Sequence, residues 1–140
     1  MGASLFIDTG ALIARAEPAD RDHGAARDGW RRVLAGDTRL FSSEPVLIES
    51  ANFLARSQGC RFTADWLKRH VESAEIRWLQ PGRDDIEEAM ADMERFSDQR
   101  ISFTDATSFA LMRRHKIDRV FGFDRKFAAA GFALWPEGEK

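Results

Sequence analysis

The sequence predicts an α/β fold built on a central, mostly parallel sheet of four or five strands, and two observations carry that reading. Short apolar runs alternate with longer stretches of helical periodicity, as strand–helix–strand units require. The composition, 44% hydrophobic and 31% charged over 140 residues, is that of one globular domain spanning 1–140 with a sizeable core. Neither repeats nor a low-complexity linker divide it.

The elements follow in chain order. Ala3-Ser4-Leu5-Phe6-Ile7 reads as a short buried strand. Ala26, Trp30, Val33 and Leu34 then form a helical stripe that ends at Gly36. Leu40-Phe41-Ser42 is a second strand. Ser43 is placed to cap the next helix, with Pro45 in its first turn, where the missing N–H is harmless. Trp66, Leu67, Val71 and Ala74 mark another helix, and Ile76-Arg77-Trp78-Leu79 a third strand. After Pro81-Gly82, the stripe Ile86, Met90, Met93 predicts a helix packed on the core through those side chains. Phe103 to Arg114 is apolar around much of its circumference, as a central buried helix would be. Arg119-Val120-Phe121-Gly122-Phe123 and Phe132-Ala133-Leu134-Trp135 complete the sheet before Pro136.

Charge and cysteine content narrow the setting. A net charge of −2 gives no general basic field for nucleic acid, so RNA contact would need a local patch or cations held by acids. The single cysteine, Cys60, has no partner for an internal disulfide, which fits a reducing compartment. The apolar run Leu5-Phe6-Ile7 is stopped by Asp8 and makes no signal peptide. Phe6 stands where a myristoylation motif wants Ser or Thr, and no stretch approaches a membrane span. The expectation is a cytoplasmic protein without a membrane partner.

Four acids occupy places where chemistry and capping compete. Asp8 follows the first strand and Asp124 the fourth, at the strand ends where open α/β sheets bind ligands; each is equally placed to cap a helix. Two acids at the same end of neighbouring strands repel unless a cation joins them. Asp105, three residues after Ser102, fits a capping box and also puts a carboxylate at the start of the buried helix. Glu49 interrupts the stripe formed with Val46 and Phe53, and an inward carboxylate costs several kcal/mol unless paired or metal-bound. A salt bridge to Arg56 and a place in a metal site are both open. Convergent carboxylates without a base between them are what Mg²⁺ or Mn²⁺ requires.

With these residues in place, the chain resembles the PIN-domain nucleases, particularly the VapC-like toxins of bacterial toxin–antitoxin pairs. The matching text is Phe6-Ile7-Asp8-Thr9, then Glu49, Ser102-Phe103-Thr104-Asp105-Ala106, and Phe123-Asp124-Arg125-Lys126-Phe127, in the family's order. The resemblance implies a three-layer α/β/α fold and an Mg²⁺- or Mn²⁺-dependent endoribonuclease. In it Asp8, Glu49, Asp105 and Asp124 hold the metal and Thr9 and Thr104 support them. It also implies an RNA substrate, a cognate antitoxin that covers the cleft, and a homodimer. Arg125 and Lys126, beside Asp124, are expected RNA contacts, with Arg56 and Arg61 as further basic residues near the Glu49 helix. His23, His70 and His115 lack metal-ligand spacing and read as structural or surface residues.

Three other readings fit parts of the sequence less well. A PIN-like domain could bind RNA or protein without cutting. Phe6-Ile7-Asp8-Thr9-Gly10-Ala11 looks like the catalytic turn of aspartic proteases, although those enzymes are β-rich and need two such turns. Haloacid-dehalogenase-type phosphatases also place an Asp after the first strand, but usually carry a second acid where this chain has Gly10.

Overall fold

The computed structural model describes residues 2–136. Its elements are β1 (Ser4–Ile7), α1 (Thr9–Ala16), α2 (His23–Ala35), β2 (Arg39–Ser43), α3 (Glu44–Gln58) and α4 (Cys60–Glu72). Then come β3 (Ile76–Leu79), α5 (Arg83–Arg95), α6 (Phe103–Arg114), β4 (Arg119–Phe121), α7 (Lys126–Ala129) and β5 (Ala133–Trp135). The five strands are all parallel, in the order β3-β2-β1-β4-β5.

Successive side chains of a strand point to opposite faces. Leu5, Phe6 and Ile7 are nevertheless all fully buried, as are Val120 and Phe121, so helices cover both faces of the sheet in three layers. Strand order explains where a ligand would sit. The chain moves outward from β1 through β2 to β3, then returns to lay β4 on the other side of β1. The crevice at the carboxyl ends of β1 and β4 is therefore a topological switch point.

Several local readings hold. Ser43 caps α3, its hydroxyl accepting from the Val46 N–H at 3.2 Å, and Pro45 lies in the first turn. Asp105 to Met112 on α6 are all buried. Phe109 is the hub of that region, its ring 5.0 Å from Phe127 and 5.7 Å from Phe132.

The helix after Pro81-Gly82 packs differently from its pattern. Met90 is 58% exposed and Met93 is exposed too, while the buried positions of α5 are Asp85, Ala89 and Asp92. Those two acids meet arginines of α6. Arg114 grips Asp85 with two bonds of 2.9 Å, and Arg113 bonds both Asp92 and Glu88. Paired charges thus take the place of the expected apolar stripe. On α4 the buried side chains are Thr63 and Trp66, whereas Val71 is exposed and Ala74 lies beyond the helix. β4 stops at Phe121, two residues short of the expected run.

Candidate active site

Each of the four acids is delivered by a different local device. Asp8 ends β1, where its N–H donates to the Phe121 carbonyl of β4 at 3.0 Å. It occupies the cap position of α1, yet its side chain makes no capping bond. Ser42 on β2 ties the neighbouring strand to the same point, its hydroxyl donating to the Ile7 carbonyl at 2.7 Å. α3 starts at Glu44 with no intervening loop after β2, so Glu49 follows within two turns of the strand end. Asp105 is held in a full capping box: its N–H donates to Ser102 Oγ at 3.0 Å, and its Oδ2 accepts from the Ser102 N–H at 3.0 Å. Asp124 Oδ1 accepts from the Lys126 N–H at 2.9 Å and so opens α7.

Capping therefore holds for the Asp105 side chain and fails for that of Asp8. Asp8 is 4% exposed, and its Oδ1 is buried without a hydrogen-bond partner. Burial, then the Asp105 charge, push its carboxyl up to about 8; the Thr9 backbone N–H opposes this, and Asp124 and Glu49 add to it. Asp105 is raised by burial first, against the Ser102 N–H, with Asp124 and Glu49 raising it and Lys126 lowering it. Asp8 thus feels the charges of the other three acids, and Asp105 those of Asp124 and Glu49.

Glu49 is half-buried and, among the described residues, forms no ion pair, so Arg56 is not its partner. Seven positions along a helix is two turns, beyond the reach of a side-chain pair. Arg56 and Arg61 are exposed, and no described contact links either to the acids. Lys126 lies at the cluster, its Nζ 3.8 Å from Asp124 Oδ2, while Arg125 is exposed beside it. Thr9 is buried with its Oγ1 unpartnered, next to Asp8. Thr104 is half-buried, and its carbonyl accepts from Thr107 Oγ1. Asp8-Thr9-Gly10 leads directly into α1 of a parallel α/β fold, which removes the aspartic-protease reading.

The donor set suits a hard divalent cation: oxygen ligands only, one of them a buried carboxylate oxygen with no protein partner. Among the described residues, no three acidic, His or Cys side chains are already gathered in an arrangement that would hold an ion.

One residue of the site escaped the sequence reading. At Gly122 an added Cβ would lie 3.1 Å from Asp8 Cβ and 3.5 Å from Asp8 Oδ2. A glycine inside the apolar run Phe121-Gly122-Phe123 is the available signal, since it marks a close approach.

Comparison with known proteins agrees with the fold. The PIN domain family profile matches residues 5–133. The 23S rRNA-specific endonuclease VapC20 of Mycobacterium tuberculosis is 33% identical over 136 residues, covering 91% of this chain and 95% of the relative. The crystal structure of that VapC20, described as a Sarcin-Ricin loop cleaving toxin, superposes with a TM-score of 0.83 at 32% identity, over 92% of this chain and 96% of the other. VapBC2 from Rickettsia felis shares the fold at a TM-score of 0.66 and 11% identity, over 94% and 96% of the two chains.

Proposed function

The chain belongs to the PIN-domain family, and from that premise we propose that it is an endoribonuclease, the toxin of a toxin–antitoxin pair, working with Mg²⁺ or Mn²⁺ held by Asp8, Glu49, Asp105 and Asp124. The observation that carries the reading is the Asp8 carboxylate, buried at a switch point among three other acids with one oxygen unpartnered. Such a group is costly to keep unless something cationic uses it.

When bound, a divalent cation acidifies water and screens the charge of the phosphodiester. The chain's own contribution is placement. Asp8 is fixed by β1 and by its backbone bond to Phe121, and Asp105 by its capping box, which occupies Oδ2. Thr9, with its free hydroxyl, and Thr104 support the acids. Lys126 supplies a positive charge at the mouth of the site for an RNA phosphate, with Arg125 outside it. No histidine is needed as base, in keeping with the positions of the three present. His23 Nδ1 bonds the Ala14 carbonyl and His70 Nδ1 the Trp66 carbonyl, while His115 ends α6.

The family resemblance implies the partners, an RNA substrate, a cognate antitoxin covering the cleft and a second copy in a homodimer, and the rRNA endonuclease and toxin among the relatives support the first two. Among the described residues no helix is long and apolar enough to cross a membrane; the site of action we propose is the cytoplasm.

The test is cleavage of an RNA containing the sarcin–ricin loop, the element named for the VapC20 relative. Cutting should require Mg²⁺ or Mn²⁺, stop in EDTA and be lost in Asp8→Asn. Cleavage that persists in chelator would remove the metal mechanism. RNA retained but never cut, with metal present, would establish a binding module instead.

A further inference from the structure

At the amino ends of the strands, away from the acids, a cavity of about 450 Å³ opens between the last turns of α1 and α4 and the start of β3. Arg15, Arg69 and Glu75 supply its charge, and Phe62, His70 and Ser73 line it beside them. Arg15 is half-buried with its guanidinium 4.3 Å above the Trp30 ring. Among the described residues Arg15, Arg69 and Glu75 form no ion pair, and the donors of Arg15 meet no acceptor. His70 Nδ1 donates to the Trp66 carbonyl at 3.0 Å. Burial holds the His70 ring below its usual range, with Arg15 and Arg69 acting in the same sense against that bond and Glu75, so the ring is neutral near pH 7. Two guanidiniums from different helices therefore face one carboxylate, a local positive excess on a chain of net charge −2.

A guanidinium is a planar fork of donors matched to oxyanions. A phosphate presents several oxygens spread in three dimensions, and so can meet two forks on separate helices at once. The volume exceeds what a bare ion fills and lies in the range of small-molecule sites, with the Phe62 ring as an apolar wall. We propose that this cavity binds a phosphate group carried on a nucleoside, with Arg15 and Arg69 holding the phosphate and the base lying toward Phe62. The phosphate could belong to a free mononucleotide or to a nucleotide of bound RNA.

The experiment is calorimetric titration of the whole protein in EDTA, where the acid cluster holds no metal and repels phosphate. The probes are AMP and a short single-stranded RNA. AMP should bind saturably and be displaced by inorganic phosphate. Arg69→Gln, at an exposed position, should weaken it by about tenfold or more, the scale of one charge-assisted hydrogen bond. Arg15→Gln should do the same in protein whose melt is retained. Glu75→Gln, which removes the opposing charge, should tighten binding, and Asp8→Asn should leave it unchanged. Binding of the RNA alone, with the same dependence on Arg69 and Glu75, would assign the phosphate to an RNA strand. Absence of binding by both probes would overturn the proposal. So would affinity indifferent to the Arg69 and Glu75 variants, or an acidic peptide that binds where AMP does not. Because the titration is done in chelator, its failure leaves the ribonuclease reading untouched.

Discussion

The Asp8 N–H and the Phe121 carbonyl are joined at 3.0 Å, which locks the end of β1 to the end of β4 and sets the Asp8 carboxylate beside Gly122. Two segments more than a hundred residues apart in sequence thus share responsibility for one side chain.

Gly122→Ala tests that relationship. The new methyl would press on Asp8 from 3.1 Å, too close to be accommodated without a shift of a few tenths of an ångström. We expect a stability loss of about 1–3 kcal/mol, the usual range for overpacking. RNA cleavage should fall by at least about tenfold, since displacing a positioned catalytic group is costly. Cleavage at the parent rate in folded Gly122→Ala protein would show that the approach has no functional consequence.

Asp8 makes a prediction about pH. Its carboxyl is raised from 3.8 to about 8 in the fold, so the folded chain holds a proton that the unfolded chain has released across that window. Metal-free stability should therefore fall as pH rises from about 4 toward 8, with Asp8 contributing at most about 1.4 kcal/mol per pH unit. Asp8→Asn should remove that slope, be more stable than the parent at pH 8 in EDTA, and lack cleavage. Denaturant unfolding from pH 5 to 8 is the measurement. An unchanged slope in the variant would place the cost of burial elsewhere.

Glu49→Gln separates a metal ligand from a structural acid. With no ion pair to break among the described residues, the change should alter the metal-free melt by no more than about 0.5 kcal/mol, against the roughly 3–5 kcal/mol expected had a buried partner been stranded. The stabilisation added by Mn²⁺ should shrink, since it follows metal concentration over the dissociation constant. A large metal-free loss with an intact Mn²⁺ increment would take Glu49 out of the site.

The α5–α6 contact predicts an acid sensitivity of opposite sign. Burial alone would raise Asp85, but the Arg114 hydrogen bonds and the Gly82 N–H outweigh it and hold the carboxyl below its usual range. A depressed folded pKa gives stability that is present above the unfolded value and lost as pH falls through the folded one. Asp85→Asn should cost about 1–3 kcal/mol at pH 7, kept modest because the Arg114 side chain is 49% exposed and solvent screens the pair. The variant should also destabilise less than the parent on acidification below pH 4. Equal acid sensitivity in the two proteins would refute the pairing as its source.

Local signals in the sequence were sufficient for much of this protein. The run Leu5-Phe6-Ile7, the Ser43 cap with Pro45, the Ser102–Asp105 capping box and the buried span of α6 each depend on residues within one or two turns of each other. Asp8, Asp105 and Asp124 were legible for the same reason, since each sits at or near an element boundary that its neighbours define, while Glu49 showed as a break in the stripe of α3. Tertiary structure alone decided three matters. It set Asp8 against Gly122, because that contact arises from pairing β1 with β4 across the chain. Among the described residues it left Glu49 without a basic partner, which spacing had kept open. It also turned Asp85 and Asp92 inward in place of Met90 and Met93. Periodicity treats a carboxylate as a surface residue, and it cannot register an arginine 29 positions away whose hydrogen bonds make burial tolerable.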